Sequence, residues 1–149
     1  MSSANPEQSQ AEFSAALYEL VRALLRATGR GVPGGDTELT LSQFYMLSAL
    51  GEGASTVTEV AGLADVAAPT ATRALRALEG RGFVERRRNA GGDGRQVRVA
   101  LTPEGSKVLA EKTDWVRARQ RAIFDGLTPA QRRTATATLR AITEDIHEL

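Results

Sequence analysis

Apolar side chains recur at intervals of three and four near the start of the chain, at Phe13, Leu17, Leu20, Val21, Leu24 and Leu25. That spacing predicts an amphipathic helix running to about Thr28. The polar stretch 1–10 has no such period and is expected to be disordered. Residues 29–38, GRGVPGGDTE, carry four glycines and a proline and read as a loop.

Later helices are marked by their first residues. A threonine hydroxyl can accept from free amides of a first turn while a Glu or Gln three residues on reciprocates. Thr40 with Gln43 opens a helix bearing Leu41, Phe44, Tyr45, Leu47 and Leu50, and Thr56 with Glu59 opens a short one bearing Val57, Val60 and Ala61. Thr102 and Thr128 each precede a proline, the residue that loses least at the first helical position. The helix after Pro103 carries Val108, Leu109, Trp115, Val116, Ile123 and Phe124 before Gly126 stops it. The last helix spaces Leu139, Ile142, Ile146 and Leu149 in near-heptads. This stripe and that of the first helix, with Phe13, Leu17 and Leu20, are a candidate dimer surface; the plainer reading is that both helices close the monomer's own core.

Between the short helix and Pro103 the period changes. On a wheel of roughly 100° per residue, Ala71, Ala74, Leu75 and Leu78 gather on one side. Arg73, Arg76, Ala77 and Gly80 fall opposite, with Thr70 and Thr72 on the flanks. Val97, Val99 and Leu101 then alternate with Gln96, Arg98 and Ala100, the mark of a half-buried strand, and the Gly/Asp-rich segment 89–94 makes it the second arm of a hairpin that begins at Val84. A helix with two outward arginines suits a DNA major groove about 12 Å wide. Arg95, near the hairpin tip, suits a narrow minor groove. Asp93 either aligns Arg95 or simply forms the turn.

Charge supports a polyanion-binding face. Residues 69–99 hold eight arginines against three acids, a balance of +5, in a chain whose net charge is +1, so the remainder carries −4. Concentrated positive charge of this kind releases counterions from phosphates; a merely solvated arginine-rich face is the alternative. Other classes find little support. There is no cysteine for a disulfide or thiolate metal site, and the lone His147 lies beside the C-terminus. No phosphate-cradling glycine motif or nucleophile elbow is present. An enzyme, a cofactor and a metal are therefore not expected. No apolar run approaches the ~20 residues that span a bilayer, and the first residues lack a signal-peptide pattern, so a cytoplasmic protein is expected.

The run EVAGLADVAAPTATRALRALEGRGFVERR, the later Asp93-Gly-Arg95 and the Leu101-Thr102-x-x-Gly105 segment resemble the MarR (multiple antibiotic resistance regulator) family of winged helix-turn-helix transcription factors. The resemblance implies a mainly α fold with a two-stranded β wing and a dimerisation module built from the N- and C-terminal helices. Residues 11–149 would form one domain, with 11–38 and 103–149 as dimerisation helices and 39–102 as the DNA-binding part. It implies a homodimeric, sequence-specific regulator, most often a repressor, on a pseudo-palindromic operator. DNA contacts would come from Thr70, Thr72, Arg73 and Arg76, from the strand arginines Arg86 and Arg88, and from Arg95 with Asp93. Arg86, Arg87 and Arg88 cannot all face one way on a strand. Release by a small aromatic or anionic effector is implied too, with Phe13, Tyr18, Phe44, Tyr45 and Trp115 as candidate lining. A winged-helix protein-interaction module without sequence-specific DNA binding is the alternative. Two positions depart from the family pattern: Asp65 stands where the turn often has glycine, and Ala67 stands where a serine often caps the recognition helix. A DNA phosphate is expected to supply the missing cap.

Overall fold

The computed structural model describes residues 5–28, 31–88 and 97–147. The chain divides into two compact units, residues 1–112 and 113–149. Its elements run α1 (Pro6–Thr28), α2 (Leu41–Gly51), α3 (Val57–Leu63), α4 (Ala68–Gly80), β1 (Val84–Arg88), β2 (Val97–Leu101), α5 (Pro103–Asp125) and α6 (Pro129–His147).

Each predicted helix start is present with its predicted chemistry. Thr40 and Thr56 form complete capping boxes with Gln43 and Glu59. At the head of α6, Gln131 N donates to Thr128 Oγ1 at 3.3 Å while Thr128 N donates to Gln131 Oε1 at 2.9 Å. The start of α1 differs from expectation. Residues 6–10, expected to be disordered, are the first turns of the helix. Pro6 takes the position where a missing N–H costs nothing, Asn5 Oδ1 accepts from Glu7 N at 3.3 Å, and Glu7 places a carboxylate at the positive end of the helix.

In the first unit, α2, α3, α4 and the β1–β2 hairpin enclose one core made of Leu39, Met46, Leu47, Leu50, Val60, Ala71, Leu75, Leu78, Phe83, Val84, Val99 and Val108 with their small neighbours. No α1 side chain among the described residues belongs to this cluster. The strands pair antiparallel with Val84 opposite Leu101, Arg86 opposite Val99 and Arg87 opposite Arg98. Buried Val84 and Val99 place the Val84/Arg86 face of β1 inward and the Glu85/Arg87 face outward. Val99 N also donates to Ser55 O at 2.8 Å, tying β2 to the residue before the α3 cap.

The Leu-Thr-x-x-Gly segment has a packing explanation. Thr102 Oγ1 donates to Gly82 O at 2.6 Å and accepts from Gly105 N at 3.0 Å, so one hydroxyl caps α5 and holds the corner between α4 and β1. Gly105 lies against that corner so closely that a Cβ on it would come 1.9 Å from Phe83 O. In the second unit, residues 113–125 of α5 and the whole of α6 meet through Arg132, whose Nε donates to Phe124 O at 2.9 Å and whose guanidinium lies 4.1 Å from the Phe124 ring centroid.

Candidate nucleic-acid interface

Helix α4 divides along its length as its wheel predicts. Ala71, Leu75 and Leu78 are buried, whereas Thr70, Arg73 and Arg76 are exposed. Neither arginine has an ion-pair partner among the described residues. Both forks of donors are therefore available, on a face that carries only Ala77 and Gly80 besides. Thr72 is half-buried and spends its proton on Ala68 O at 2.9 Å, which leaves its hydroxyl oxygen as an acceptor.

The turn into α4 is strained where expected. Asp65 has φ 51°, the left-handed region that a short polar side chain tolerates better than most. Ala67 sits at the N-cap with extended backbone and no side-chain hydrogen bond, and Pro69 occupies the first turn. The leading amides of α4 thus point outward without a protein side chain to satisfy them. At α3 the corresponding place is already taken: Thr56 Oγ1 accepts from Glu59 N at 3.2 Å, and the Glu59 carboxylate in return accepts from Ser55 N at 2.7 Å and Thr56 N at 3.1 Å. The Ser55 amide leads the contacts that hold the Glu59 carboxyl below its ordinary range, against the opposing effect of desolvation.

Not every arginine of the basic segment is free for a polyanion. Arg81 donates to Glu38 O at 2.7 Å and its guanidinium sits 4.9 Å from the Phe83 ring centroid. Arg86 Nε pairs with Glu79 Oε2 at 3.0 Å, and Arg87 pairs with Glu85. Arg98 reaches Ser55 Oγ at 3.5 Å. Arg88 ends β1 opposite Val97. Asp93 and Arg95, the expected wing contacts, lie outside the described residues.

The expected effector and dimer residues are placed as follows. Phe44 and Tyr45 stack at 5.7 Å with a 51° tilt on α2, while Phe13 and Tyr18 are exposed on α1 and Trp115 is exposed on α5. An open cleft of about 470 Å³ beside the turn, lined by Leu41, Tyr45, Leu63 and Val66 among others, takes only Tyr45 of the five. Phe13, Leu20, Leu139 and Ile146 are largely exposed, and Leu17 and Ile142 partly so. No helix among the described residues is long and apolar enough to cross a membrane.

One buried charge escaped the sequence reading. Lys112 is 2% exposed, and its Nζ donates to Gly34 O in the α1–α2 loop. Burial pushes its ammonium below the usual lysine range, opposed by the Glu111 and Glu38 carboxylates and reinforced by Arg81. A signal did exist, since Gly105, Val108 and Lys112 share one face of α5 and all three are buried.

A three-helix segment whose last helix offers two unpaired arginines and is joined at once to a β hairpin defines a winged helix-turn-helix protein. Residues 37–96 match the family model described as "MarR family". Solved structures extend the likeness over most of the chain. One is described as a MarR family transcription regulator, with a TM-score of 0.78, 20% identity and coverage of 95% of this chain and 94% of that one. Streptococcus pneumoniae FabT, solved in complex with DNA, is 21% identical with a TM-score of 0.73 and covers 95% and 98%. Bordetella bronchiseptica BpsR, described through the regulation of its DNA binding by 6-hydroxynicotinic acid, is 26% identical with a TM-score of 0.66 and covers 87% and 98%. No curated protein matches the sequence. Residues 37–96 are thus similar to the MarR family, and the chain shares the fold of solved MarR family transcription regulators.

Proposed function

We propose that this protein is a homodimeric repressor that reads a pseudo-palindromic DNA operator from the cytoplasm. The observation that carries the reading is the free face of α4, where Arg73 and Arg76 stand exposed and unpaired within the family-matched segment. α4 is the recognition helix, with Arg73 and Arg76 meeting guanine edges or phosphates and Thr70 and Thr72 beside them. Arg88 and Arg95, aligned by Asp93, brace the neighbouring groove and backbone. A phosphate at the uncapped start of α4 supplies the acceptor that Ala67 lacks. The division into a DNA-binding part at 39–102 and dimerisation helices at 11–38 and 103–149 is part of the same proposal. The apolar stripes of α1 and α6, left open in the single chain, form the dimer module.

Release by a small aromatic or anionic effector, contacted by residues among Phe13, Tyr18, Phe44, Tyr45 and Trp115, completes the mechanism. Support comes from the likeness to BpsR, whose DNA binding responds to such a molecule. Selection of bound fragments from random duplex DNA, with the complex sized in solution, tests the whole. The expected product is an inverted repeat with half-sites about 34 Å apart, bound by a dimer. A monomer that shows no preference for any duplex over heparin would overturn it and leave the protein-interaction module.

A further inference from the structure

The two elements laid on DNA in the proposed function are joined by an ion pair across a tight corner. Helix α4 ends at Gly80, Gly82 turns the chain with φ 77°, and β1 begins at Val84. Across that corner Arg86 Nε meets Glu79 Oε2 at 3.0 Å, the two side chains being 30% and 39% exposed. Strand alternation puts Arg86 on the inward face with Val84, opposite buried Val99, whereas Arg87 and Arg98 lie opposite each other on the outward face.

A phosphate approaching Arg86 would have to displace or lie beside a carboxylate already hydrogen-bonded to it, so the guanidinium is poorly placed as a backbone contact. It is well placed to hold the last turn of α4 against the first strand of the wing. We infer that Glu79 and Arg86 are a positioning pair that fixes the angle between recognition helix and wing, and that Arg86 makes no phosphate contact. This rests on the DNA-binding reading above. Both elements must engage adjacent grooves at once; the Thr102 bonds to Gly82 O and Phe83 O hold the backbone of the corner, and the pair adds a side-chain link from α4 to β1 that lowers the ordering cost of binding.

The test compares Glu79→Gln, Arg86→Gln and the double exchange Glu79→Arg with Arg86→Glu, using the duplex recovered by selection over a series of salt concentrations. Each single variant should bind about 2- to 5-fold more weakly, the range of a partly exposed pair. The dependence of log K on log salt should not change. The exchange, which keeps net charge and restores the pair, should return affinity to within about 2-fold of the parent. The inference is overturned if Arg86→Gln lowers the salt slope by about 0.9, the signature of one lost phosphate contact. It is overturned equally if Glu79→Gln tightens binding, as mere removal of an acid near DNA would do, or if the exchange does not rescue.

A measurement without DNA stands beside these. In Glu79→Gln the β1 and β2 amides should exchange hydrogen faster than in the parent, and unchanged exchange would remove the pair from any positioning role. A parent protein that binds no duplex, yet shows this faster exchange in the variant, would sink the DNA-binding reading while leaving the pair as the brace of the corner.

Discussion

Replacing Gly105 by alanine sets two physical effects of opposite sign against each other. Gly105 lies inside α5 and its φ is not positive, so intrinsic propensity alone makes alanine about 1 kcal/mol better at this position. Packing makes it worse. The added Cβ would stand 1.9 Å from Phe83 O and 2.8 Å from Phe83 C, both backbone atoms that cannot swing aside. Reaching even 3.0 Å from the oxygen requires a shift of about 1 Å between α5 and the α4–β1 corner. The same shift stretches the Thr102 N to Phe83 O bond of 3.1 Å and the Thr102 hydroxyl link to Gly82 O, each worth about 1 kcal/mol. With overpacking at about 1–3 kcal/mol and the gain of about 1 kcal/mol from propensity set against it, the net expectation is a loss of about 2–4 kcal/mol. Urea unfolding should report it as a lower midpoint at unchanged m. Because the displaced corner carries the wing, affinity for a selected duplex should fall as well. An alanine variant as stable as the parent, or more so, would refute the packing account and leave helix propensity in charge.

Three further outcomes are expected. Arg73→Ala should cost about 1–3 kcal/mol of operator binding and relax base preference at one position, whereas a uniform loss over all sequences would reassign Arg73 to phosphate. Ala67→Ser should raise thermal stability by capping α4 and weaken the salt-dependent part of DNA binding; unchanged binding across a salt titration would leave the phosphate cap unsupported. Glu59→Gln tests the α3 cap through pH. The Glu59 carboxyl is held below its ordinary 4.5 chiefly by the Ser55 amide, so its stabilisation is complete above that value and is lost as pH falls through the folded-state value. The parent should therefore lose more stability than Glu59→Gln on acidification below about pH 4.5, and parallel curves would count against the cap.

Much of this architecture was legible in the residues themselves because the physics that sets it is short-range. Thr40/Gln43, Thr56/Glu59 and Thr128/Gln131 bond within four residues of each other, so their helix starts could be read without knowing the fold. The two faces of α4 and the alternation of Val97, Val99 and Leu101 are likewise properties of a helical turn and a strand repeat. The left-handed Asp65 and the missing cap at Ala67 were legible only through the family resemblance, which marked the turn and the cap at those two positions.

What tertiary structure alone decided is which of several similar side chains meets which partner. The sequence placed Arg81, Arg86 and Arg87 in one basic run, but their assignment to Glu38 O, Glu79 and Glu85 depends on Val84 and Val99 turning one face of the wing into the core. Gly105 is needed for a carbonyl 22 positions earlier, and Lys112 is buried by a loop 78 positions away. Contacts at such separations leave no local period to read, because only the closed chain brings the paired atoms within reach.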